Sequence, residues 1–216
     1  MSSKFHRPPN LFGRNLDVYL SKGWFRSGQL IYTVHTLPLE GKLYYPVRIR
    51  LPLAGYTFRK SLRKIWRKNQ QFKVVCQKAK ITEEKEALYQ KFIVRFDSYI
   101  APTLQDSLLE FEETSIYDTY EIAIFDDDKL IAVSFFDVGE VAMASIMGVF
   151  DPDYGKYSLG IYTMLLEINF GRINNFAFYY PGYVIPGYPK FDYKLRIGEV
   201  EFYDAENDIW EYRAYP

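Results

Sequence analysis

The 216 residues hold one cysteine, Cys76, and two histidines, His6 and His35. That scarcity excludes an intrachain disulfide framework and any cysteine-built metal site, and metal chemistry is not expected. No apolar run approaches the roughly 18 residues that a membrane span needs, and the first twenty residues, with Pro8, Pro9, Arg14 and Asp17, lack the apolar core of a secretory leader. The expectation is a cytoplasmic protein that needs no cofactor and meets no membrane. Acid is missing from a whole stretch: between Gly41 and Thr82 there is no Asp or Glu, while twelve Lys and Arg fall in that window. Formal net charge is nevertheless zero, so the basic region suggests a polyanion docking locally rather than a protein coated by one.

What is present is apolar and aromatic: 48% hydrophobic and 19% aromatic residues suffice for a substantial core. Three parts are expected, a loose N-terminus over 1–15, a strand and basic-helix subdomain over 16–80, and an acyltransferase-like domain over 81–216. From Gly23 to Leu53 the alternation, broken by Gly41 and Pro46, predicts two or three short strands. After Gly55, Phe58, Leu62, Ile65 and Trp66 gather on one helical side, and Arg59, Lys60, Arg63, Lys64, Arg67 and Lys68 fill the other. Thr82 caps a second helix, with Glu83 and Glu84 in its first turn and Leu88, Phe92, Phe96 and Tyr99 as its buried stripe. Pro102 ends it, and Thr103 can cap a short third helix to about Glu113. The runs TYEIAIFD, KLIAVSFFDV and VAMASIMGVF, parted by tight polar turns, are the pattern of an antiparallel meander. A helix from about Ser158 to Gly171, the strand NNFAFYY and a last strand EVEFYD complete an α+β chain.

That order resembles the GNAT acyltransferase fold, a mostly antiparallel sheet flanked by helices, in which a meander feeds a helix whose N-terminus meets the acyl donor. The Gly-rich loop that holds acetyl-CoA has no full counterpart, with only Gly160 near its place. Three motifs narrow the resemblance. FDPDYGKYSLGIYTMLLEI, YYPGYVIPGYPKFDYK and SKGWFRSG are similar to stretches of the arginyl-tRNA protein transferases and their bacterial leucyl-transferring relatives, in the same order from about Asp17 to Tyr203. The family's N-terminal cysteine cluster is absent, and Tyr188 stands where its second motif carries cysteine.

The resemblance implies an enzyme that takes Arg or Leu from aminoacyl-tRNA and joins it to proteins beginning with Asp or Glu, marking them for degradation. Asp151 and Asp153 are then catalytic candidates, holding the cationic group of the transferred residue or orienting the amine; Asp-Pro-Asp before a helix is also ordinary turn and capping chemistry. Ser158 caps the following helix, and its amides with Gly160 can receive a phosphate or ribose. With Tyr154, Leu159 and Tyr180 these form the implied substrate site. Lys190 and Tyr193, with Lys194 beside them, are surface charges around a ring on the plain reading, and an acid-binding and proton-supplying set on the implied one. The cationic helix face, Arg59 to Lys68, is either a solvated surface or a tRNA platform. Arg26 is more readily a turn residue than an RNA contact. An acetyl-CoA-dependent N-acetyltransferase and a catalytically silent tRNA-binding homologue are the alternatives.

Overall fold

The computed structural model describes residues 4–96 and 100–215. In chain order they form β1 (Lys4–His6), α1 (Arg14–Ser21), β2 (Phe25–Ser27), β3 (Leu30–Thr33), β4 (Leu37–Leu39), β5 (Lys42–Tyr44), β6 (Val47–Pro52), α2 (Lys60–Asn69), β7 (Lys73–Lys78), α3 (Glu83–Ile93) and α4 (Leu104–Leu109). The meander follows as β8 (Thr119–Asp126), β9 (Lys129–Val138) and β10 (Ala142–Phe150), then α5 (Leu159–Ile173), β11 (Phe178–Val184), β12 (Glu201–Asp204) and β13 (Ile209–Glu211). Short 3-10 segments cover Pro152–Tyr157 and Pro189–Ile197.

The architecture is α+β, a mostly antiparallel sheet flanked by helices, as expected. Eight strands make the main sheet in the order β13-β12-β6-β11-β10-β9-β8-β7, and every neighbouring pair is antiparallel except β10 and β11. A parallel pair needs a crossover, and α5 supplies it. Alternation along the meander decides which layer covers which face. Ile122, Ile124, Ala132 and Phe136 pack towards α5, whose Leu165 in turn meets Leu62 of α2. Ala123, Val133, Phe135 and Val149 face the other way, onto Leu88 and Tyr89 of α3 and Leu104 and Leu108 of α4.

The structure departs from several expectations. Residues 1–15 are not loose where described: β1 pairs with β3, and Leu11 is fully buried. The stretch 16–80 is no separate subdomain, because β6 lies inside the main sheet and β7 forms its edge. Five short strands, not two or three, occupy residues 25–52. Helix α3 stops at Ile93, so Phe96 is left 44% exposed; Tyr99 lies outside the described residues. Helix α4 ends at Leu109 rather than near Glu113, where Glu110 takes a positive φ of 55°.

Candidate active site

The parallel pair of the main sheet is short. Strands β10 and β11 pair only from Ala142 opposite Phe178 to Ala144 opposite Tyr180. Beyond that level each carries an irregularity against its other neighbour, between Ser145 and Met147 in β10 and between Tyr179 and Gly182 in β11. Bulges bend strands, and two at one level part the ends of this pair. Gly182, with φ 103°, holds a backbone conformation that side chains disfavour, and a Cβ there would lie 3.5 Å from Lys194 Nζ. Lys194 arrives from the Pro189–Ile197 segment and donates to the Tyr183 carbonyl at 3.0 Å. The rings of Tyr183 and Phe191 each lie 4.9 Å from its nitrogen. Burial first, and repulsion from Arg48 second, lower the Lys194 ammonium to about 7. At neutral pH it therefore holds or gives up a proton with nearly equal ease.

Tyr193 stands next to it, its side chain 44% exposed. Burial raises its hydroxyl, and the nearby Glu167 and Tyr183 charges add to that. Underneath, fully buried Tyr179 donates to Glu167 Oε2 at 2.7 Å. Burial pushes the Glu167 carboxyl up to about 7, against the stabilising hydrogen bond from Tyr179. Helix α5 presents Glu167 here because it runs back along β10, with Gly160 close against the Phe150 ring and Thr163 beside Gly148.

The Asp-Pro-Asp junction has the turn and capping chemistry of the plain reading. Asp151 is buried; one oxygen accepts from the Asp153 amide at 3.0 Å and pairs with Lys91 at 2.6 Å, the other with Lys129 at 2.9 Å. Burial alone would raise this carboxyl, but the two lysines and the amide outweigh it and hold it at about 2. Asp153 is exposed and shares Lys91 at 2.6 Å. These carboxylates tie α3 to the end of β10, and their charge is answered within the chain. Because the folded pKa lies below the ordinary carboxylate value, the stabilisation is present above about pH 4 and is lost as pH falls towards 2. Asp151→Asn should cost about 1–2 kcal/mol after allowance for the solvent-exposed lysines. Acid-unfolding curves between pH 4 and 2 should be steep for the parent and flatter for the variant.

Ser158 does not cap α5 with its side chain. It sits in the left-handed region at φ 56°, and its carbonyl accepts from Ile161 and Tyr162. Leu159 is buried in the core, and the Tyr154 hydroxyl donates to Asp126 at 2.8 Å. Tyr180 is corrected by strand parity: it faces Trp210 and Arg50, on the sheet face opposite Tyr179. Lys190 points away, 3.4 Å from Glu40. Arg26 is also corrected. Its guanidinium, only 5% exposed, pairs with Asp137 at 2.8 Å, donates to Gly28, Thr119 and Leu108, and lies over Tyr117. Four hydrogen bonds thus hold the guanidinium inside the fold.

The basic flank is as the periodicity requires. Arg59, Lys60, Arg63, Lys64, Arg67 and Lys68 are all exposed, and Leu62, Ile65 and Trp66 face α5. Lys68 donates to the Lys156 carbonyl at 2.6 Å and Asn69 to that of Tyr157 at 2.9 Å, so α2 ends against the junction that precedes α5. Phe58, Arg63, Trp66, Arg67 and Asn169 line a surface hollow on this side. Tyr193 and Lys194 are thus brought together at the parted strands, and the cationic helix sits against the same helix α5. Glu167 and Arg48 were not singled out from the sequence. The alternation of Val47, Ile49 and Leu51 with Arg48 and Arg50 was the available signal for the last.

Residues 84–204 match the family model described as "Arginine-tRNA-protein transferase, C terminus". An aspartate/glutamate leucyltransferase of Leptospira interrogans is 26% identical over 199 residues, 88% of this chain and 74% of that protein. One from Hahella chejuensis is 30% identical over 192 residues, 87% of this chain and 80% of that one. Among solved structures, a C-terminal DUF2156 domain from Agrobacterium fabrum superposes with a TM-score of 0.50 at 12% identity, covering 65% of this chain and 47% of its own. That likeness concerns the fold.

Proposed function

The chain belongs to the arginine-tRNA-protein transferase family, and from that premise we propose that it transfers leucine or arginine from charged tRNA, in the cytoplasm, to the N-terminal α-amine of proteins beginning with Asp or Glu. The observation that carries this reading is the parting of β10 and β11 beyond Tyr180, with Lys194 hydrogen-bonded to the Tyr183 carbonyl of β11. In the reaction the amine nitrogen attacks the ester carbonyl carbon, an amide bond forms, and the bond to the terminal ribose oxygen breaks. Two protons leave the acceptor ammonium, and one ends on the ribose oxygen. An α-amino group titrates near 8, so a neutral Lys194 amine is well matched to take the first. Tyr193, whose hydroxyl is raised and so stays protonated at neutral pH, would hand one to the leaving oxygen. The ester is already activated, and positioning supplies most of the remaining rate.

Phosphates are held without sequence readout by Arg59 to Lys68. Replacing Arg63, Lys64 and Arg67 together by Ala should weaken tRNA retention and reduce the slope of log affinity against log salt by about three. Turnover at saturating tRNA should stay near the parent value. Filter retention across a salt series checks both.

The deciding experiment is transfer of labelled leucine and arginine from separately charged tRNAs to peptides starting with Asp, Glu and Ala. Label on the Asp and Glu peptides alone supports the reading. Bound tRNA without transfer would leave a silent RNA-binding protein, and thermal stabilisation by coenzyme A but not by tRNA would point to an acetyltransferase.

A further inference from the structure

Arg48 is 6% exposed, yet both of its terminal guanidinium nitrogens are buried without a hydrogen-bond acceptor among the described residues. Only its Nε is engaged, donating to the Gly23 carbonyl at 3.0 Å. The guanidinium carbon lies 3.4 Å from the Phe25 ring centre and 5.0 Å from that of Tyr183. Burial pulls its pKa down to about 9, which leaves it charged at neutral pH. A buried cation with two idle donors is costly, and folded proteins satisfy such groups. Three other enclosed cations near the sheet, Arg26, Arg50 and Lys85, each have a carboxylate, Asp137, Glu201 and Glu121, while Lys194 has only a carbonyl. Arg48 too lacks a carboxylate among the described residues.

We infer that Arg48 is the receptor for the side-chain carboxylate of the acceptor's N-terminal Asp or Glu, an assignment that rests on the transferase reading. Three features favour this ligand. The two free Nη groups form the planar fork that a carboxylate fills bidentately. The guanidinium is walled by Phe25, Tyr32 and Tyr183, each half-buried, so a ligand reaches its shielded Nη groups only as one of these rings turns aside; a short side chain ending in one anionic group asks for less room than an internal phosphodiester substituted on both sides. Finally, Tyr183 is shared: its ring lies 5.0 Å from the Arg48 guanidinium and 4.9 Å from Lys194 Nζ. In an N-terminal aspartate the carboxylate and the α-amine are separated by two carbons. A residue anchored at Arg48 therefore carries its amine past Tyr183 towards Lys194.

Arg48→Met and Arg48→Lys test the assignment, with charged tRNA and peptides that differ only in starting with Asp, Asn or Ala. The parent should prefer Asp to Asn strongly. In Arg48→Met, kcat/KM for the Asp peptide should fall about 100-fold with little change for Asn, so that discrimination collapses. Arg48→Lys, which keeps charge but loses the fork, should recover only a small part. Arg48→Met should also melt no lower than the parent, since an unpaired buried charge is replaced by an apolar side chain of similar length; a lower melting temperature with discrimination intact would make Arg48 a structural residue and overturn the proposal. Isothermal titration of the parent with an Asp-initiated and an Asn-initiated dipeptide gives a second measure that requires no variant. Equal affinities would likewise overturn it. If the parent labels the Asp peptide and Arg48→Met retains the preference, the receptor assignment fails and the transferase reading stands; if the parent labels nothing from either tRNA, both fall.

Discussion

Lys194→Met is expected to reduce turnover about 10²–10⁴-fold, the range for loss of a general base, while tRNA retention is unchanged. The argument is one of proton balance. An acceptor arrives as an ammonium and must be neutral to attack, so a group that accepts protons near pH 7 has to lie at the attacking nitrogen. Lys194 is such a group because burial and Arg48 both disfavour its charged form, lowering it to about 7. The direction of the pH dependence follows. Below that value Lys194 is protonated and idle, so kcat should rise as pH climbs through about 7 and then level. In Lys194→Met this limb should vanish. Lys194→Arg separates charge from basicity, since a guanidinium stays protonated. It should resemble the Met variant; near-parental turnover would mean that Lys194 acts as a fixed cation instead.

Arg26→Ala should cost about 3–5 kcal/mol of stability, the usual penalty for stranding one member of a buried ion pair, and a fall in melting temperature of about 10 °C. Asp137 is 1% exposed and Thr119 donates to the same oxygen that Arg26 engages. Without the guanidinium the carboxylate is left uncompensated, and adding Asp137→Asn should restore part of the loss. Thermal unfolding of the single and double variants measures this. Retention of tRNA per folded molecule should not change, which distinguishes Arg26 from the exposed arginines of α2.

The meander was legible because tight polar turns part its apolar runs, and α2 because it separates apolar from basic residues at helical spacing. The family resemblance, too, lay in contiguous motifs. What escaped depends on partners distant in the chain. Arg26 and Arg48 look like members of a basic population, and only tertiary packing shows that one has Asp137 and the other has nothing. In YYP the choice between Tyr179 and Tyr180 turns on strand parity, and the register of β11 is fixed by pairing with β6, some 130 residues earlier. Ser158 carries the residue type of a cap but adopts a left-handed turn between a 3-10 segment and a helix. Edge strand β7 is hidden within KVVCQK because exposed lysines flank its short apolar run.

Strand β6 has β11 on one side and β12 on the other, and both come far later in the chain. During synthesis it must therefore wait, unmatched along both edges, while Val47, Ile49 and Leu51 form an adhesive row. Pro46, Arg48, Arg50 and Pro52 are interleaved with that row. Prolines and charges are the residues that keep a waiting strand from zippering onto a neighbouring nascent chain. Arg48 would thus serve the polypeptide before it is complete as well as after.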